Sequence, residues 1–183
     1  MSEELLIRNC SPTLAGLKTG SMFNYTCASK EEMLKDVRTI NDRLKDKGVI
    51  IVPISYKERR AYVYIYRPSS LKRDLENEQL REILITLGYP VDAPNKCLVK
   101  LMRRMRTNDS FPHEVGLFLG YPPEDVNGFI NHKDIGCKTV GVWKVYGDVD
   151  KAKETFNTFR KCKNIYSKLW YKGRTLEQLT VAK

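Results

Sequence analysis

The sequence predicts an α+β fold: one domain over residues 1–183, built as a mainly antiparallel sheet packed by helices. Three observations carry that reading. Residues 49–67 show a hairpin pattern, several apolar runs repeat at helical spacing, and the strand-like segments are joined by hairpin-length or short helical links. A chain of 183 residues with 42% hydrophobic content can bury one sizeable core, and no repeat, low-complexity tract or linker divides it.

Taken in order, Ser11-Pro12 reads as a helix start, because serine caps orphan amides and proline is tolerated at the first helical position. That places Cys10 just before the helix, which should stop near Phe23, weakened by Gly16 and Gly20. The next helix is better marked. Ser29 and Glu32 form a capping box, Met33, Val37, Ile40 and Leu44 repeat at helical spacing, and Gly48 is placed to end it. Val49–Ser55 and Ala61–Arg67 then form the hairpin, with Tyr62, Tyr64 and Tyr66 on one face and Ala61, Val63 and Ile65 on the other.

From Ser70 the pattern is helical again, with a break near Asn77 and a stop at Gly88-Tyr-Pro. A helix from Pro94 to Arg106 carries Leu98, Leu101, Met102 and Met105 on one side and Lys96, Lys100, Arg103, Arg104 and Arg106 on the rest, the most basic surface of the chain. Val115–Tyr121, a compact apolar run bracketed by prolines, reads as a buried strand. Pro122-Pro123 opens a short helix burying Val126, Phe129 and Ile130, and Lys138–Tyr146 reads as a strand neighbouring 115–121. Asp148 caps the last long helix, which Gly173 ends before one more turn at Thr175–Gln178.

Lys and Arg total 32 against 22 Asp and Glu, a formal net charge of +10, which favours acidic partners or nucleic acid through long-range attraction. The five cysteines are odd in number and contain no Cys-x-x-Cys pair, so free thiols are expected and no metal site or cofactor is signalled. No apolar run reaches the roughly 18 residues of a membrane span, and the first residues lack a secretory signal, so no membrane association and a cytoplasmic location are expected.

Three segments also carry a family likeness: Cys-Ser-Pro-Thr-Leu-Ala-Gly-Leu-Lys-Thr-Gly-Ser-Met-Phe from residue 10, Phe-Pro-His-Glu-Val-Gly-Leu-Phe-Leu-Gly-Tyr-Pro-Pro-Glu-Asp-Val from residue 111, and Val-Gly-Val-Trp-Lys-Val-Tyr-Gly-Asp from residue 140. On these the chain resembles an uncharacterised bacterial family, the domain-of-unknown-function family 3793. The resemblance implies relationship without an activity.

The chemistry therefore rests on residues. One reading is a cysteine hydrolase or acyl transferase, papain-like in outline: Cys10 as nucleophile at a helix N-terminus, His113 as base at a strand start, and Asp148 as orienting group. Lys18 would lower the thiol pKa further, and Glu114 is the acidic neighbour that His113 would otherwise bond. Gly16-Leu-Lys18-Thr-Gly20 falls short of a phosphate loop, because Leu17 interrupts the pattern and no strand precedes it. A second reading is nucleic-acid or other acidic-partner binding through Lys100, Arg103, Arg104 and Arg106, with Lys57, Arg59 and Arg60 at the hairpin tip and Lys161 and Lys163 late in the chain. The third, put ahead of these two, is a binding or interaction module without chemistry, which one contiguous apolar patch on the aromatic strands or around Phe118 and Trp143 would favour.

Overall fold

A computed structural model describes residues 1–107, 111–133 and 135–182. Its elements run α1 (Glu3–Leu14), β1 (Gly20–Thr26), α2 (Lys30–Leu44), β2 (Ile50–Lys57), β3 (Arg60–Tyr66), α3 (Pro68–Asp74), α4 (Glu78–Thr86), α5 (Pro94–Thr107), α6 (Val115–Phe118), α7 (Pro123–His132), β4 (Thr139–Val140), β5 (Lys144–Val145) and α8 (Val149–Tyr171). This is an α+β structure whose sheets are antiparallel. The chain divides into two compact units, residues 1–70 with 159–183, and residues 71–158.

In the first unit a three-stranded sheet has the order β1-β3-β2. The alternation read from β3 holds: Ala61, Val63 and Ile65 join Leu6, Ile7 and Leu14 of α1 and Met33, Val37, Ile40 and Leu44 of α2 in one buried cluster. Each Val, Leu, Ile or Met of this set contributes about 1.5–3 kcal/mol when fully buried. On the opposite side the Tyr64 and Tyr66 rings stack 5.1 Å apart. Gly20 is required where β1 begins, since a Cβ there would lie 2.4 Å from the Tyr64 ring. Pro53 sits in β2, an edge strand, where its missing N–H breaks no inner ladder, and the register shifts between Pro53 and Ser55.

Helix α2 forms as its signals direct. Ser29 Oγ accepts from the Glu32 amide at 3.1 Å, the Glu32 carboxylate accepts from the Ala28 amide at 2.6 Å, and Gly48 takes a left-handed φ of 71° after a 3-10 turn. Arg67, just past β3, is fully buried, and its guanidinium donates to the carbonyls of Thr13 (2.6 Å), Leu14 (2.5 Å), Val181 (2.7 Å) and Lys47 (3.3 Å). A cation at the C-terminal carbonyls of α1 is favoured by the helix dipole and satisfies groups that the helix itself leaves orphaned.

The second unit packs α4, α6 and α7 around Leu80, Leu84, Leu117, Phe118 and Val126, with α5 adding Cys97, Leu98 and Leu101. Asp125 of α7 is buried and accepts from Trp143 Nε1 (2.7 Å) and from the amides of Tyr146 (2.7 Å) and Gly147 (2.8 Å), which fastens the β4–β5 segment to α7.

Four element readings are corrected. Helix α1 starts at Glu3 under a Ser2 cap, so Ser11-Pro12 lies in its last turns rather than at its start. Residues 20–26 are strand β1 and not a helical continuation, because pairing with the whole length of β3 outweighs weak local preference. Residues 115–118 are helical: Gly116 lets α6 approach α7, where a Cβ would meet Val126 at 2.8 Å, and Gly120 at φ 79° closes the turn with Tyr121 N to Gly116 O and Gly120 N to Leu117 O. Residues 138–146 form only the short β4–β5 pair, which bonds to itself and not to 115–121.

Candidate functional site

The sequence candidates separate by unit: Cys10 and Lys18 belong to the first, and His113, Asp148 and the α5 cations to the second. Cys10 is fully buried in the interior of α1, about two turns past its start at Glu3, so it gains nothing from a helix N-terminus. Burial pushes its thiol far above the ordinary range, and the nearby Lys18 ammonium opposes this only in part. Lys18, half-buried in the loop before β1, is lowered to about 8, because burial penalises its charge more than the Cys10 sulfur supports it.

In the second unit Asp148 is exposed and caps α8, its carboxylate accepting from the amides of Asp150 (3.0 Å) and Lys151 (3.1 Å). This is the capping role its position suggested. Among the described residues the His113 side chain makes ring contacts only, edge-on to Phe129 with centroids 4.8 Å apart and tilted to Phe111 at 6.4 Å. No hydrogen bond or ion pair joins it to Asp148 or to Glu114 among the described residues.

Glu114 instead turns inward. It is buried, accepts from the Tyr89 hydroxyl at 2.8 Å, and pairs with Arg104 Nε of α5 at 2.6 Å. The Tyr89 hydroxyl is pushed well above its usual range by burial first and by the Glu114 carboxylate second. A buried carboxylate is tolerable only when paired and hydrogen-bonded, and this pairing docks the 111–118 segment on α5. Lys100, half-buried, donates to the Gly88 carbonyl at 2.5 Å and lies over the Tyr89 ring at 5.1 Å. Arg104 and Lys100 are thus committed within the unit.

What remains is an open basic face. Helix α5 holds Lys96, Lys100, Arg103, Arg104 and Arg106 and no acidic residue. Lys96, Arg103 and Arg106 are exposed, together with Val99 at 66%, and at 100° per residue they share one side of the helix. The side chains of Lys96 and Arg103 have no hydrogen bond or ion pair among the described residues. In the same unit Phe111 is exposed at 57%, and Lys144 Nζ lies 5.2 Å from the Phe129 ring. Sequence reasoning found the α5 cations from composition. It missed the aromatic set, whose one local signal was the alternation Phe111-Pro-His113 just beyond a basic helix.

Fold and site define an α+β protein with a basic helix anchored through a buried carboxylate. No group of three or more His, Cys, Asp or Glu among the described residues could hold a metal ion. The chain belongs to the family described as "Protein of unknown function (DUF3793)", whose model matches residues 6–180. No curated protein and no solved structure matches it.

Proposed function

We propose that this protein is a binding module that holds a phosphate-bearing polyanion against the exposed face of α5. The observation that supports this most is the division of labour among the cations of an acid-free helix. Lys100 and Arg104 are used internally, while Lys96 and Arg103 stand exposed without an acidic partner among the described residues. A surface that merely kept the protein in solution would intersperse both signs of charge. Against the alternative, a cysteine hydrolase or acyl transferase using Cys10, His113 and Asp148, stand the full burial of Cys10 and its raised thiol pKa. The cysteines, all free, suit a reducing compartment such as the cytoplasm.

The test is a fluorescence-anisotropy titration with a labelled oligonucleotide at several salt concentrations. Binding should weaken steeply with salt, and Lys96→Glu with Arg103→Glu should cut affinity at least tenfold and flatten the log–log salt slope by roughly one to two units. Lys153→Glu with Lys168→Glu, on exposed positions of α8, makes the same change in net charge and should cost much less. No binding at about 50 mM salt, or equal losses in the two double variants, would remove the proposal.

A further inference from the structure

We infer that the partner of the α5 face is single-stranded nucleic acid, and that Phe111, backed by His113 and Phe129, is the platform on which one unstacked base lies. The inference rests on the reading of α5 as a polyanion site and adds a class of ligand to it. Its observation is separate from the charge. Of the six phenylalanines, Phe23, Phe118 and Phe159 are buried, Phe129 and Phe156 are half-buried, and Phe111 alone is exposed, at 57%. An isolated exposed aliphatic residue is ordinary, but this ring rests against His113, which in turn meets Phe129.

Support for the ring comes from a connected set. Phe111 touches His113 at a centroid distance of 6.4 Å, His113 meets Phe129 edge-on at 4.8 Å, and Lys144 Nζ lies 5.2 Å from the Phe129 centroid. Glu114, next to His113, is pinned to Arg104 of α5 at 2.6 Å, which fixes the segment against the basic helix. Chain geometry limits Phe111 to within about 18 Å of Arg106, so platform and cations fall within the span of a few nucleotides. A basic track beside an open aromatic face is what binds single strands, because phosphates are neutralised along the track while any base offers a π-face to the ring. A duplex keeps its bases stacked inside and offers Phe111 nothing comparable; a folded acidic protein would use the cations without needing the ring.

The experiment compares three labelled probes at about 50 mM salt: an oligothymidylate, an abasic oligomer of equal length and charge, and a duplex of the same length. Phe111→Ala should weaken oligothymidylate binding roughly ten- to a hundredfold and leave the abasic oligomer and the duplex unchanged, while Phe111→Trp restores tight binding and its fluorescence is quenched by the base. Because the ring is largely exposed, the Ala variant should melt like the parent protein, and the Trp variant provides an independent readout. If the abasic oligomer binds wild type as well as oligothymidylate does, or Phe111→Ala affects both alike, the platform is wrong and the α5 polyanion reading stands. If none of the probes binds wild type, the α5 reading falls and the platform falls with it.

Discussion

Cys10 shows how little a residue type says about reactivity. The thiol lies at zero exposure within α1, beside a lysine whose own charge is disfavoured there, and both shifts trace to the same missing water. A thiol held far above its ordinary range supplies almost no thiolate near neutrality, so Cys10 should be the slowest of the cysteines toward a small alkylating agent. Cys137, the one cysteine that is not buried, should label first. Site-resolved mass spectrometry after timed alkylation reads the order. His113→Ala should leave the Cys10 rate unchanged. Cys10 reacting ahead of Cys137, or slowing when His113 is removed, would revive the hydrolase reading. The burial of Cys10 was not legible because the capping signal at Ser11-Pro12 competed with an equally good one at Ser2, and only packing against the sheet chose between them.

Among the elements, the β2–β3 hairpin carries a conformational cost at its tip. Lys57 pairs with Arg60, so Glu58 and Arg59 form a two-residue turn, and both have positive φ, 52° and 61°. That geometry suits the twist of a hairpin but favours Asn-Gly, and side chains in the left-handed region cost about 1–2 kcal/mol each. Replacing Glu58→Asn and Arg59→Gly should therefore stabilise the protein by about 1 kcal/mol in urea unfolding with an unchanged m-value. The Arg59 carbonyl that accepts from the Cys27 amide at 3.1 Å is retained in such a variant. A loss of stability would show that contacts of the Glu58 and Arg59 side chains outweigh the strain. The hairpin itself was readable, as were α2, the basic α5 and the Asp148 cap, because each is specified by residues within one or two turns of one another. The helix at 115–118 has a local signal of its own. Gly-Tyr-Pro at 88–90 ends α4 with Gly88 at φ 74°, and the same tripeptide at 120–122 ends α6 with the same pair of hydrogen bonds. The aromatic set of Phe111, His113 and Phe129 was less legible, since its contacts, like the Arg104–Glu114 pair, form only in the folded unit.

At the scale of the whole molecule, ion pairs matter most where they join distant parts of the sequence. Arg43 of α2 pairs with Glu3 at 2.7 Å and with Glu177 at 2.5 Å, linking both ends of the described chain to one helix. The hydrogen bond from Arg43 holds the Glu177 carboxyl at about 2, below its ordinary 4.5. A depressed carboxylate stabilises the folded state fully above its unfolded value and loses that contribution as pH falls through its folded value. Acid unfolding should accordingly steepen between about pH 4.5 and 2, and Glu177→Gln should flatten that limb while lowering neutral-pH stability by no more than about 1 kcal/mol, given the solvent screening of a pair this exposed. An unaltered acid limb in Glu177→Gln would assign the transition to other carboxylates.

Arg67 bears on the order in which the chain can fold while it is being made. Its guanidinium is complete only when Val181 arrives, and Leu14 O receives the Val181 amide at 3.0 Å, so the first unit joins residues separated by nearly the full sequence. Residues 71–158 are one continuous stretch, so that unit can begin to form before the last residues are made. The first seventy residues supply three of the four carbonyls that Arg67 bonds, while Val181 O, together with Leu176 and Leu179 of the buried cluster, comes only with the last residues. During translation, the segment bearing the basic helix should therefore be able to mature first, and the N-terminal sheet should be completed only with the last residues.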